Sequence, residues 1–205
     1  MPNGNLRLVT GPAAVGKSTI ARGLQSEFAR GGNLWLLIQL DTFARALPRD
    51  WISWSRRQGI YADRGFAYAP AADGSVQLTL GADARSVLAA FHRSVAAVVK
   101  SGVNALCETI VYDDDDWSDW ADALSGISAH WVRLSAPLAI LEARESSDDS
   151  RIFRGLARGM IAREQVRSFD VEFDTSIEDA DAIVRRIAES QLSDLSGPTT
   201  AESER

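Results

Sequence analysis

Near the start of the chain, Gly11-Pro-Ala-Ala-Val-Gly16-Lys17-Ser18 satisfies G-x-x-x-x-G-K-[ST]. Residue types at this spacing cradle phosphate. The glycines let the main chain curl, successive N–H groups point inward, and a helix starting at the lysine adds the positive end of its dipole. The expected contacts are the main-chain N–H groups of Gly11, Ala13, Ala14, Val15 and Gly16, with Lys17 reaching the β- and γ-phosphates of ATP as a point charge. The Ser18 hydroxyl is expected in a Mg²⁺ shell and Thr19 near the α-phosphate. Of the 22 basic residues only Lys17 and Lys100 are lysine, so a lysine at the one position the pattern demands is informative.

Two carboxylates stand where hydrophobic runs end. Asp41 follows LWLLIQL and is suited to orient an attacking alcohol and take its proton; capping a helix that begins at Thr42 is its alternative role. Glu108 follows VNALC and could hold Mg²⁺ or contact the acceptor, or be a half-exposed strand-end glutamate. The acidic run Asp113 to Asp116, with Asp119 and Asp122, reads as a solvated loop and helix N-terminus rather than a metal site.

Between Glu142 and Arg167 lie Arg144, Arg151, Arg154, Arg158, Arg163 and Arg167. The spacing of Arg151, Arg154 and Arg158 predicts three guanidinium groups on one helix face, a mobile lid that could neutralise a transferring phosphoryl group. The alternative is a surface helix neutralised by Glu142, Glu145, Asp148 and Asp149. Thr42 to Leu80 is predicted to be a long irregular connection, and it holds Phe43, Trp51, Trp54, Tyr61, Phe66 and Tyr68. These aromatics either wall an organic acceptor or pack onto the core. His92, His130 and Cys107 read as structural.

The elements that must position these groups alternate. Strands are expected at Leu6–Thr10, Leu34–Leu40, Val103–Cys107, His130–Ser135 and Val171–Phe173. Helices are expected at Ser18–Arg30, Ala84–Lys100 and Trp117–Leu124, after Pro137, and along Ile177, Ala180, Val184 and Ile187. That order predicts an α/β fold: a parallel five-stranded sheet flanked by helices, in one domain over residues 1–192, with a polar disordered tail at 193–205. With 205 residues, 45% apolar, the chain can fill one core. A net charge of −6 argues against nucleic acid or anionic lipid as partners, and the absence of a long apolar run suggests a cytoplasmic protein. Self-association is left open.

The pieces GPAAVGKST, LDTFARALP, ADGSVQLTLGADARSVLAAFHRSVAAVVKSGVNALCE, EARE and RGMIAREQ leading into DVEFDTS, in that order, resemble the chloramphenicol phosphotransferase-like family of small P-loop kinases. The resemblance implies transfer of the γ-phosphate of ATP to a hydroxyl of a small molecule. It places the catalytic aspartate at Asp41, the phosphate loop at Gly11 to Thr19, and lid arginines at Arg144 and at Arg151 or Arg154. It puts Asp174 and Thr175 beside the adenine ring. An antibiotic such as chloramphenicol is one candidate acceptor. A zeta-toxin-like kinase of a nucleotide sugar and a regulatory P-loop ATPase are the competing readings.

Overall fold

The computed structural model describes residues 2–53, 59–147, 154–163 and 168–193. Five strands form the main sheet: β1 (Leu6–Thr10), β2 (Trp35–Gln39), β6 (Asn104–Glu108), β7 (Ala129–Ser135) and β8 (Val171–Asp174). Their spatial order is β2-β6-β1-β7-β8, and every pairing is parallel, with Leu6 in register with both Ala105 and Ala129. β1 is central and buried along its whole length.

Side chains of a strand alternate between the two sheet faces, and each face here has its own apolar layer. Leu6, Leu8 and Cys107 join Phe91, Val95 and Trp120 from α3 (Ala82–Lys100) and α4 (Asp114–Ala123) on one side. Val9, Leu106 and Leu134 join Ile20 and Leu24 of α1 (Lys17–Arg30), Leu141 of α5 (Leu138–Ser147), and Ile183 and Ile187 of α7 (Ala180–Ser193) on the other. All five strands therefore point their carboxyl ends to one edge, where α/β proteins bind ligands.

Three sequence expectations are corrected. Ile177 is 81% exposed and precedes the last helix, because Asp179 accepts the Ala182 N–H and caps α7 at Ala180. The connection after Asp41 is not irregular. It carries α2 (Leu40–Arg45), a turn of 3-10 helix at Arg49–Trp51, and a second sheet of β3 (Ile52–Ser53), β4 (Phe66–Pro70) and β5 (Val76–Leu80) in the order β3-β4-β5. Asp73 closes the antiparallel β4–β5 hairpin by accepting from the Ser75 N–H and hydroxyl. Among the described residues Arg154 and Arg158 do not share a helix, because α6 (Leu156–Ile161) starts only after Gly155, leaving Arg154 outside it and exposed. Arg151, Trp54, Asp148, Asp149, Arg167 and residues 194–205 of the expected 193–205 tail lie outside the described residues, and Ser193 ends α7.

Candidate active site

The phosphate loop runs from β1 into α1. Gly11, Ala14 and Gly16 have positive φ (145°, 61° and 99°), the backbone that turns successive amides inward. Gly11 is required twice over: a Cβ there would lie 2.3 Å from the Leu134 carbonyl oxygen of β7. Lys17 is nearly buried, and its Nζ donates to the Gly11 and Pro12 carbonyls at 3.0 and 2.9 Å. The Ala13 N–H donates to Met160 Sδ of α6 at 3.2 Å, so a thioether rests on one of the loop's amides.

Ser18 and Glu108, far apart in sequence, meet at the carboxyl end of β6. The Ser18 hydroxyl donates to Glu108 Oε1 at 2.6 Å, and Gln39, ending β2, donates from Nε2 to Oε2. Glu108 is 9% exposed with both oxygens engaged, so the half-exposed alternative does not describe it. Gln39 is a site residue that sequence reasoning missed; its position in register with Glu108 is visible only once β2 and β6 pair.

Asp41 is exposed in the first turn of α2, whose N-cap is Gln39, so it does not cap a helix starting at Thr42. Its charge, after the larger effect of desolvation, pushes the Tyr68 phenol up to about 12. The Tyr112 phenol is also raised well above the ordinary tyrosine value, by desolvation first and then by Tyr68, Asp116 and Asp41.

A cleft of about 690 Å³ opens beside the loop, lined by Thr10, Gly11 and Pro12 at its floor. Val76, Leu78 and Leu80 of β5 form one wall; Ile110, Val111 and Tyr112 form the opposite wall; Met160 and Phe169 close it. Two of its three lining arginines are paired with carboxylates, and the third, Arg163, donates to the Leu78 carbonyl. Arg85 binds Asp113 through both terminal nitrogens, at 3.3 and 2.8 Å, and Arg133 binds Glu172 at 2.6 Å. The aromatics expected as its wall pack elsewhere: Phe43 against Phe91, Trp51 against Tyr61, and Phe66 in the core. The wall comes instead from the aliphatic face of β5.

The Asp113 to Asp116 segment is a helix start, as its composition implies. Asp113 caps α4 by accepting the Asp116 N–H at 3.0 Å. Asp116 is the exception to solvation, buried with its Oδ1 3.2 Å from Nε2 of the buried His92. Cys107 is a fully buried core thiol whose pKa burial raises.

Over the loop, the Glu145 carboxylate, 1% exposed, accepts the N–H groups of Gly155 and Ala157 at 2.8 and 2.9 Å and fixes where α6 begins. Arg158 is neutralised by Glu142 at 2.6 Å, as the surface-helix alternative anticipated for that residue. Arg144 donates to the Thr175 hydroxyl and carbonyl at 2.9 and 2.7 Å, beyond the end of β8 and next to Asp174. Among the described residues no helix is long and apolar enough to cross a membrane.

A family model described as chloramphenicol phosphotransferase-like protein matches residues 4–191. A comparison with curated proteins found no match. Among solved structures, the APS kinase CysC of Mycobacterium tuberculosis, in complex with AMPPNP and APS, superposes with a TM-score of 0.65 at 16% identity, covering 94% of this chain and 99% of that one. An unliganded sugar kinase from Janibacter sp. HTCC2649 gives 0.62 at 16% identity over 94% of each chain. A shikimate kinase from Acinetobacter baumannii, in complex with shikimate, gives 0.57 at 13% identity over 93% and 94%. At these identities the likeness is one of fold, that of the P-loop kinases.

Proposed function

The chain belongs to the chloramphenicol phosphotransferase-like family of P-loop phosphotransferases, and from that premise we propose that it transfers the γ-phosphate of ATP to a hydroxyl of a small organic molecule. The observation that carries this reading is the junction of the phosphate loop with a cleft of about 690 Å³ that has the aliphatic face of β5 as one wall and two of its three arginines already paired with carboxylates. Nucleotide-bound and substrate-bound kinases of this fold support it.

The loop amides and Lys17 would hold the β- and γ-phosphates, Lys17 exchanging its two carbonyl partners for phosphate oxygens. Among the described residues no three His, Cys, Asp or Glu side chains make a metal-binding group. The Ser18 hydroxyl and Glu108 carboxylate are nonetheless hard oxygen donors in contact, fitting a Mg²⁺ that takes its remaining ligands from phosphate and water. Held by Ser18 and Glu108, a Mg²⁺ would supply positive charge to offset that of the phosphates. Asp41 would orient the acceptor hydroxyl and accept its proton as the oxygen attacks phosphorus in line. Arg151 and Arg154 would bring positive charge to the transferring group, with Arg144 holding Thr175, and with it Asp174, beside the nucleoside.

A nucleotide sugar carries two phosphates that need uncommitted cations, and two of the cleft's three arginines are committed to carboxylates, with Arg163 held by the Leu78 carbonyl. A neutral hydroxylated compound, chloramphenicol among them, is the better fit. The test is incubation with Mg·ATP and a panel of neutral hydroxylated antibiotics, simple alcohols and nucleotide sugars, with mass spectrometry of the products. The expected result is a neutral compound gaining one phosphate. Phosphorylation of a nucleotide sugar alone would overturn the acceptor class, and ATP turnover that needs a protein partner and no acceptor would favour the regulatory ATPase.

A further inference from the structure

Met160 Sδ lies 3.2 Å from the Ala13 nitrogen and accepts its N–H. Ala13 is buried, and Met160 packs against the core layer that contains Ala13 and Val15. Met160 also lines the cleft, beside Gly11 and Pro12. The Ala13 amide thus looks toward the cleft side of the phosphate loop, the side from which an acceptor reaches the terminal phosphorus of a bound nucleotide. The sulfur holds an N–H that the loop pattern assigns to phosphate.

The two competitors for this N–H differ in strength. A thioether is a weak acceptor, whereas a hydrogen bond to an ionised phosphate oxygen is about twice as strong as one between neutral groups. A phosphate oxygen that claims the N–H must displace the sulfur, and α6 limits how that can happen. The helix backbone is pinned on β5: the Val76 N–H donates to the Gly155 carbonyl at 2.8 Å, and a Cβ on Gly159 would fall 2.0 Å from the Val76 carbonyl oxygen. The methionine side chain is unbranched, with three rotatable bonds, and can swing away while the helix stays in place.

We propose that Met160 is a stand-in acceptor for the Ala13 amide: its sulfur yields that N–H to the terminal phosphate of a nucleoside triphosphate and keeps it when a diphosphate is bound. This rests on the kinase reading above and adds to it a residue that tells substrate nucleotide from product nucleotide. After transfer the sulfur recovers the N–H, so a buried donor is bonded on both sides of the reaction. Binding ATP breaks the contact and binding ADP does not, so Met160 brings the two affinities closer together.

Two measurements test this. The chain has two methionines, Met1 and Met160, so in protein labelled with ¹³C at the methionine methyl groups the Met160 resonance is identified by its loss in Met160→Leu. Saturating Mg·AMPPNP should shift that resonance, and saturating Mg·ADP should leave it where it stands without nucleotide. Leucine is close to methionine in volume but offers no acceptor. Calorimetry should therefore show Met160→Leu binding AMPPNP about fivefold more tightly than the wild type, with ADP affinity and thermal midpoint unchanged. A resonance that answers both nucleotides equally, or neither although calorimetry shows both to bind, would overturn the proposal. So would a variant whose two affinities change by the same factor or not at all. If Met160→Leu fails to fold, Met160→Gln supplies the assignment and the wild-type spectra decide. Wild-type protein that binds neither nucleotide would instead bring down the kinase reading itself, an outcome separate from any difference between AMPPNP and ADP.

Discussion

Asp41 and Glu108 illustrate two carboxylates at neighbouring strand ends given different work by their surroundings. Glu108 is nearly buried and receives hydrogen bonds from Ser18 and Gln39, an arrangement that orients its oxygens toward the phosphate loop. Asp41 is exposed, and its charge, after desolvation, helps raise the Tyr68 phenol. Asp41→Asn should lower transfer by about a hundredfold or more, the usual range for removing a general base, while calorimetry shows ATP binding unchanged. An equal fall in both would remove Asp41 from the base role. Glu108→Gln should raise the Mg²⁺ concentration needed for half-maximal transfer and leave metal-free ATP affinity as it was, which a Mg²⁺ titration of the rate would check. These two acids and the loop could be found from sequence because each sits at the end of an apolar run, where the fold puts its ligands. Gln39 could not, since its contact with Glu108 arises from strand register.

Among the elements, the lid differs most from its sequence pattern. Counting i, i+3, i+7 across Arg151, Arg154 and Arg158 assumes an unbroken helix, but Gly155 has φ of +88° and Glu145 accepts the Gly155 and Ala157 N–H groups, so the helix starts afresh at Leu156. The carboxylate that sets this start lies ten residues upstream of Gly155, beyond the reach of a periodicity argument. α6 then docks on β5 through its backbone. The Val76 N–H donates to the Gly155 carbonyl at 2.8 Å, Arg163 donates to the Leu78 carbonyl at 2.6 Å, and a Cβ on Gly159 would fall 2.0 Å from the Val76 carbonyl oxygen. Gly159→Ala must push α6 off the cleft wall at a cost of about 1–3 kcal/mol. The expected outcome is a lower thermal midpoint and a fall in transfer larger than the fall in ATP affinity. An unchanged rate would show that the α6–β5 contact is dispensable. The β4–β5 hairpin, by contrast, was within reach of the sequence: F-A-Y-A-P and V-Q-L-T-L alternate on either side of Asp73-Gly74, a hairpin signal that the density of aromatics obscured.

Across the whole molecule, the alternation of apolar runs with helical stretches translates directly into a five-stranded parallel sheet with helices on both faces, because short parallel strands buried on both sides leave an unmistakable apolar record. The second sheet is half-exposed, short-stranded and packed partly through glycine, so its record is faint. Its consequence for function is large, since β5 supplies one wall of the cleft and the docking strip for α6. On the proposed reading the main sheet builds the phosphate end of the site and the small sheet the acceptor end, and the phosphate end is the premise for everything else. The most direct test is calorimetric titration of Mg·AMPPNP into the wild-type chain and into Lys17→Ala. The account predicts saturable one-site binding by the wild type and a loss of roughly tenfold to a hundredfold on removing the lysine, the value of a charge-assisted contact to phosphate. No binding by the wild type, or equal affinity in the two proteins, would contradict it.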